Sequence, residues 1–308
     1  MTDKDLVIVG GGPAGLSAGI YAARSALSVL LIERELPGGK AATANLIDNY
    51  PGFPEGVGGV ELAGRMEQQA RRFGLEIETA ELKNLEPTAT GFIVNTSAGA
   101  INTGAVIIAT GVEPRRLNIK GETEYTGRGV SYCATCDGPF FQDKNLAVVG
   151  GGDEALEEAL HLTKFAAKIY LIHRRKTLKA AKALQDEALS HNKIEYIPNA
   201  MARGIEGGPM VNGLRIKEAN QDGETLLPVE GVFIYADNAP LSAAINELVE
   251  TDERGFIVTD DKMRTSYPGI FAAGDVRHNT LRQVVTAVSD GAVAAVEAER
   301  YLKLRSEK

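Results

Sequence analysis

The sequence predicts an α/β protein built from two similar parallel-sheet units. Three observations carry that expectation. A strand, a glycine-rich turn and a helix follow one another from Asp5 to Ser25, and the same succession returns from Asn145 to Ala166. Each leading strand is a β-branched run without polar alternation, the pattern of a strand buried on both faces. The strand after each helix ends on a polar residue 23 positions beyond the first glycine of its turn, Glu33 in one unit and His173 in the other. That shared register marks an internal repeat.

Length and composition frame the reading. The 308 residues allow two domains, each with its own core. An apolar share of 44% and a charged share of 24% are those of a soluble globular chain. A net charge of −8 argues against a nucleic-acid partner. The chain opens Met-Thr-Asp-Lys-Asp, with neither a basic leader nor an apolar signal region, and no apolar run is long enough to span a bilayer. This predicts a cytoplasmic protein with no membrane association.

In the first unit, strand Asp5–Val9 runs into Gly10-Gly-Gly12-Pro13-Ala14-Gly15, helix Ser17–Ser25 follows, and strand Ser28–Ile32 ends at Glu33. Glycines there let backbone N–H groups approach a pyrophosphate at a helix N-terminus, and the acid accepts a bond from a ribose 2′-OH. Breakers make loops of Pro37-Gly38-Gly39-Lys40 and of Asn49–Gly56. Glu61–Phe73 reads as an amphipathic helix whose stripe is core. Glu76–Thr103 reads as a small β-meander, and Ala105–Ala109 as a buried strand meeting a turn at Thr110-Gly111.

In the second unit, strand Asn145–Val149 leads to Gly150-Gly-Gly152-Asp153-Glu154-Ala155 and strand Lys168–Ile172 ends at His173-Arg174-Arg175, with Lys176 and Lys179 beyond. Cations at the ribose position accommodate a 2′-phosphate where a carboxylate would bond the free hydroxyl. The first unit therefore suits FAD and the second NADPH. Glu154 lies where an anionic ligand would approach, unfavourable beside a diphosphate unless its side chain points away. Short strands at Ile194–Pro198, Gly213–Glu218 and Gly231–Tyr235 follow, with a turn at Asn220–Gly223. After Pro240–Thr251 returns to the first domain, a strand ends in Gly274-Asp275, placing Asp275 at a ligand crevice. Leu281, Val284, Val288, Ala292, Ala295 and Leu302 are expected to line one face of a last, long helix.

Between the units lies Ser131-Tyr-Cys133-Ala-Thr-Cys136-Asp137-Gly, holding the only two cysteines. In a reducing compartment such a pair is redox-active or metal-binding. A structural zinc needs four ligands, and His161, His173, His191 and His278 form no ligand-spaced pair. No metal is expected.

Taken together, Gly10–Gly15 with Glu33, the Asn49-Tyr-Pro-Gly-Phe-Pro loop, Ala109-Thr-Gly111, Cys133-Ala-Thr-Cys136-Asp137-Gly, Gly150–Ala155, His173-Arg-Arg175 and Gly269–Val276 with Arg282-Gln283 resemble the low-molecular-weight thioredoxin reductases, in order and over essentially the whole chain. The resemblance implies a discontinuous FAD domain (residues 1–115 and 245–308) and an inserted NADPH domain (116–244) carrying a Cys133–Cys136 disulfide. It implies a homodimer whose partner is thioredoxin or a thioredoxin-like protein. It sets Gly38, Gly39, Asn49, Asp275, Arg282, Gln283 and Val284 near the flavin, with Asp275 on the ribityl chain. By the same resemblance Cys136 is the flavin-side thiol, Cys133 attacks the partner disulfide and Asp137 moves the proton. One flavin serving both the nucleotide and the cysteines implies a rotation of the inserted domain about segments near 112–120 and 236–247.

The chain departs from the family at Lys40, which replaces a common glutamine, at Glu154, which replaces a serine or threonine, at Lys176 and Lys179, where Asp and Arg are common, and at Tyr235-Ala-Asp-Asn-Ala-Pro240, where the family reads Ile-Gly followed by Pro-Asn. These leave two alternatives open, a reductase fed by NADH, reduced ferredoxin or another flavoprotein, and a flavin-binding redox sensor without rapid turnover.

Overall fold

The structure, a computed structural model, describes residues 2–306 except 45, 237 and 280; the side chains of residues 2, 135, 136, 238 and 306 are likewise outside the description. The chain divides into two compact units, Met1–Glu113 with Ala239–Lys308, and Pro114–Asn238.

The first unit opens with β1 (Thr2–Val9), α1 (Pro13–Arg24) and β2 (Val29–Glu33). After α2 (Gly59–Arg72) come β3 (Glu76–Thr79), β4 (Leu82–Thr88), β5 (Gly91–Thr96) and β6 (Ala100–Ile108). The chain crosses to the second unit at β7 (Val112–Pro114), then forms α3 (Glu122–Tyr125), β8 (Val130–Ser131), α4 (Ala134–Asp137), β9 (Asn145–Gly150), α5 (Asp153–Leu162) and β10 (Lys168–His173). There follow α6 (Lys182–Ser190), β11 (Ile194–Pro198), β12 (Ala200–Gly207), β13 (Val211–Glu218), β14 (Thr225–Leu227) and β15 (Gly231–Tyr235). It returns through β16 (Asn238–Pro240), which pairs with β7, and ends in β17 (Ile270–Ala272) and α7 (Val284–Ser306).

The repeat read from the glycine turns extends to topology. The parallel strands of the first unit run β3-β2-β1-β6-β17 and those of the second β11-β10-β9-β15-β8. The meander differs between units. β4 and β5 join the first sheet antiparallel beside β6, whereas β12-β13-β14 forms a separate antiparallel sheet. Strands β1, β6, β9 and β15 are buried through almost their whole apolar runs, as central parallel strands with both faces covered must be.

The two ends of the chain build one core. Leu6, Ile8, Leu16, Ile107, Phe271, Ala294 and Ala298 share a cluster, and Val7, Ile108, Ile245, Ile257 and Ile270 share the cluster on the opposite face of the sheet. The residues Ala239–Ala244, assigned by sequence to the inserted domain, cluster with the first unit instead. The cause is local: Leu241 donates its amide to Gly111 O at 3.0 Å and accepts Thr110 Oγ1 at 2.6 Å.

The last helix keeps part of its expected face, with Ala295 buried and Val284 and Leu302 packed against core clusters, and departs from the rest. Leu281 precedes α7 and is exposed, and the buried positions are Ala287, Ala294, Ala295 and Ala298, with Asp290 and Glu297 among them. Small residues are selected because α7 lies directly on α1: a Cβ at Gly291 would stand 2.0 Å from Ala14 O.

Candidate functional site

In the first unit the predicted cofactor residues gather at one sheet edge. Val9 pairs in register with both Ile32 and Ile108, and Ile108 with Ala272. The residues that follow, Gly10, Glu33, Ala109 and Gly274-Asp275, therefore emerge side by side at the carboxyl ends of parallel strands, where open α/β sheets take their ligands. Gly10 has φ +106°, and a Cβ there would meet Ala109 O at 2.3 Å; at Gly15 a Cβ would meet Gly10 O at 1.8 Å. These two contacts press the turn against the sheet and set the start of α1 under it. No side chain caps α1, whose first residue is Pro13 after Gly12, so its first turn is left to an anion.

Glu33 accepts Gly11 N at 2.6 Å and Glu35 N at 3.0 Å, holding its carboxylate beside the glycine turn. Gly38 donates to Gly11 O at 2.8 Å, and a Cβ at Gly39 would lie 3.1 Å from Gly12 Cα. That turn delivers Lys40, exposed, to the same neighbourhood.

The C-terminal segment supplies the rest. Asp275 sits in a short 3₁₀ turn, Gly274–Val276. Buried Asp290 of α7 holds that turn by accepting Gly274 N at 3.1 Å and Arg277 Nε at 2.7 Å. Asn49 Nδ2 donates to Gln283 Oε1 at 2.9 Å, so two residues far apart in sequence meet, and Val284 packs against the Ile47–Leu62 cluster. The Arg282 guanidinium stacks 4.2 Å from the Phe256 ring centroid. Burial pulls its pKa below the ordinary value, against the opposing charge of Asp275.

Among the described residues, Arg282 Nε and Asn279 Oδ1 are buried without a hydrogen-bond partner. Such groups cost free energy unless something polar satisfies them. With the glycine cradle and the Glu33 carboxylate, they fit a polar, extended dinucleotide such as FAD.

The second unit repeats this edge with different chemistry. Val149 pairs with Ile172 and Ile234, which brings Gly150, His173 and Tyr235 together. Where Gly11 faces Glu33, Gly151 faces His173: a Cβ at Gly151 would lie 2.5 Å from the ring. His173 is 8% exposed, and its Nε2 has no hydrogen-bond partner among the described residues. Burial lowers its pKa, and Arg174, Lys179 and Arg175 push the same way. Arg174, Arg175 and Lys179 are exposed, with Lys179 N bonded to Gly151 O at 2.7 Å. Helix α5 begins at Asp153 after Gly152, without a side-chain cap; Asp153 Oδ1 instead accepts Ala181 N at 2.6 Å. Ala155 closes against Gly150, where an added Cβ would come within 2.6 Å of its own. Glu154 is half-buried, and it and Asp153 add to the burial that raises the Glu157 pKa.

The cysteine segment shares that edge. β8 runs parallel to β15, with Ser131 opposite Phe233, and Cys133 follows. Cys133 is half-buried and disulfide-bonded; the Cys136 side chain is outside the described residues. Ser131 Oγ accepts Cys133 N at 3.0 Å, Ala134 N donates to Tyr235 Oη at 2.8 Å, and Asp137 N donates to Cys133 O at 3.1 Å. Tyr235 is thus the hinge-pin of the site, touching the nucleotide turn through its backbone and the cysteine loop through its phenol. Its side-chain role was invisible in the sequence, as was that of Asp290. An acid within an otherwise apolar helix face was the one available signal for Asp290. The described residues contain no His/Cys/Asp/Glu group able to hold a metal, and no described helix is long and apolar enough to cross a membrane.

Two nucleotide-type sheet edges, one of them bearing a bonded cysteine, define a class of enzyme. Residues 4–291 match the family model for pyridine nucleotide-disulphide oxidoreductases, and the chain belongs to that family. The curated thioredoxin reductase of Listeria monocytogenes is 44% identical over 300 residues, covering 97% of this chain and 94% of that one. The solved thioredoxin reductase of Lactococcus lactis matches at TM-score 0.94 and 41% identity, covering 98% of this chain and 99% of that one. The T. acidophilum thioredoxin reductase matches at TM-score 0.91 and 37% identity over all of both chains. Within its family the chain is of the low-molecular-weight thioredoxin reductase type, a flavoprotein disulfide reductase.

Proposed function

We propose that the chain reduces the disulfide of thioredoxin or a thioredoxin-like protein with electrons from NADPH, as a cytoplasmic homodimer. In this reading FAD is held by the unit Met1–Glu113 with Ala239–Lys308, and NADPH by the unit Pro114–Asn238. The observation that carries it is the shared edge of the second sheet, where the Gly150 turn and the Cys133 loop both meet Tyr235 and the basic segment leaves the neighbouring strand β10.

FAD, when bound, supplies the two-electron chemistry that links nucleotide to disulfide. The rest falls to the chain. Gly10, Gly12, Pro13, Ala14 and Gly15 receive its pyrophosphate, Glu33 its ribose and Asp275 its ribityl chain, with Lys40, Asn49, Arg282, Gln283 and Val284 near the ring. Gly150, Gly152 and Ala155 receive the NADPH pyrophosphate, and Arg174 and Arg175 the 2′-phosphate. The reduced pair then exchanges. The Cys133 thiolate attacks one partner sulfur, forming a mixed disulfide and releasing the other as a thiolate, which takes its proton from Asp137. Cys136 then attacks Cys133 Sγ, restoring the Cys133–Cys136 bond and freeing the second partner thiol.

Acidic groups favour a second reading, in which another donor feeds the same enzyme. Asp153 and Glu154 crowd the first turn of α5, where diphosphate charge would be repelled. Anaerobic mixing with NADPH, NADH or reduced ferredoxin, followed by flavin bleaching, separates these readings. Rapid bleaching by NADPH alone is the expected result; bleaching by dithionite but by neither nucleotide would overturn NADPH as donor. Cys136→Ser should retain that bleaching and lose thioredoxin reduction entirely, and retained turnover would refute the disulfide route.

A further inference from the structure

Both sequence neighbours of Cys133 are tethered to side chains from elsewhere in the unit. On one side, Tyr132 donates its hydroxyl to Glu122 Oε1 at 2.7 Å. Glu122 is 1% exposed and also accepts Leu117 N at 2.9 Å and Asn118 N at 2.6 Å. On the other side, Ala134 N donates to Tyr235 Oη at 2.8 Å. Both tethers lead to the segments by which the chain enters and leaves the second unit. Leu117 and Asn118 follow the crossing at Val112–Pro114, and Tyr235 precedes the one at Asn238–Pro240.

Each tether is buried enough to be directional. Burial raises the Tyr132 pKa, and the adjoining Glu122 carboxylate adds to it. Burial likewise raises that of Tyr235, with Glu158, Glu154 and Asp137 as the nearby negative charges. Both phenols therefore stay protonated: one as a donor to a carboxylate, the other offering its lone pair to an amide. Both fix the backbone on which Cys133 is presented, in the conformation that the disulfide-bonded loop adopts.

We infer that Glu122, Tyr132 and Tyr235 are positioning residues that hold Cys133 for thiol–disulfide exchange, by tying the residues on either side of it to the two connecting segments. The inference rests on the proposed disulfide-exchange reading and adds three residues to it. The tethers are those of the disulfide-bonded loop, so removing them weakens the disulfide state relative to the dithiol.

The test uses the flavin-loaded enzyme and three variants, Tyr132→Phe, Tyr235→Phe and Glu122→Gln. Each is equilibrated with glutathione redox buffers, the Cys133–Cys136 state is trapped by alkylation, and kcat and KM for oxidised thioredoxin are measured in parallel. Each Tyr→Phe change should shift the equilibrium towards the dithiol by more than about threefold and lower kcat on the order of tenfold at unchanged KM. Glu122→Gln should do more, because its amide nitrogen cannot accept from Leu117 or Asn118. Should that variant fail to fold, the two phenylalanine variants decide, since each deletes one hydroxyl. The inference stands if either shifts the glutathione equilibrium towards the dithiol beyond threefold, and falls if both remain within it or move the other way. Failure of the wild-type enzyme to reduce thioredoxin from any donor would strike the exchange reading, while the glutathione equilibrium still reports on the tethers.

Discussion

At the scale of single residues, one glycine contact sets the chemistry of each nucleotide edge. A Cβ added at Gly11 would press to 3.2 Å on the Glu33 carboxylate, and one at Gly151 would collide with the His173 imidazole. The two edges then answer differently to pH. His173 is buried beside Arg174, Arg175 and Lys179, which holds it neutral below its ordinary range. In the unfolded chain it protonates near pH 6.5. As pH falls through that value the unfolded state gains a proton that the folded state refuses, so stability is lost towards acid and retained above it. Thermal unfolding followed from pH 7.5 to 5.5 should show that loss, and His173→Gln should flatten it; an unchanged slope would exclude His173 as its source. The position of His173 was legible, because a residue at fixed distance from a glycine turn needs only the repeat to place it. Glu122 was not legible. A carboxylate buried by the consecutive amides of Leu117, Asn118 and Ile119 and by a tyrosine ten residues away leaves no periodic trace, since those partners lie in irregular chain on either side of it.

Among the elements, α7 shows how apolar patterning misleads. Periodicity selects large side chains: Leu302 does pack against the core, but Leu281 precedes the helix and is exposed. The face that packs is made of alanines and Gly291, because α1 approaches closely enough for backbone to meet backbone. The charged members of that face have partners: Asp290 binds Arg277 and Gly274 N, and Glu297 binds Arg264 and Arg300. The glycine turn that α7 supports is the start of α1 itself. Gly291→Ala should therefore push the helices apart, costing about 1–3 kcal/mol as overpacking does. It should also weaken flavin retention, because Ala14 lies at the contact. A melting temperature lowered by several degrees and a reduced flavin-to-protein absorbance ratio are expected; Ala292→Ser, half-exposed on the same helix, serves as control. Strands β1, β6, β9 and β15 were legible for the opposite reason. A central parallel strand buries every side chain, so its run of Val, Ile and Leu is continuous. α6 escaped notice, since it buries only Ala188 and carries almost no apolar stripe.

For the whole molecule, the two units differ in how the chain closes them. The second is continuous, Pro114–Asn238, with clusters of its own on both sheet faces. The first is split: β1, β2 and β6 come from one end of the chain, while β17, α7 and residues Ile245, Val249 and Ile257 come from the other. Without the C-terminal segment, one face of β1 and β6 would lose Phe271, Ala294 and Ala298 and the other Ile245, Ile257 and Ile270. Large apolar areas would then stay in water, at roughly 25 cal/mol for each Å² left exposed. Fragment 114–238 should thus fold alone and unfold in one cooperative step, whereas fragment 1–113 should not. Co-expression of 1–113 with 239–308 should recover a cooperative unit that takes up flavin, since both halves of the core and Asp275 are then present. A cooperative, flavin-binding fragment 1–113 would show instead that the N-terminal strands form a sufficient core, and would make the C-terminal segment a lid on an already folded domain. The split has a consequence for assembly order. The insertion can complete its sheet while the first unit still waits for its last helix, so the Cys133 loop and its tethers form before the flavin edge that Asp275 completes. Pulse-labelling hydrogen exchange during refolding should accordingly protect β9 and β15 before β17, and protection of β17 first would reverse that order.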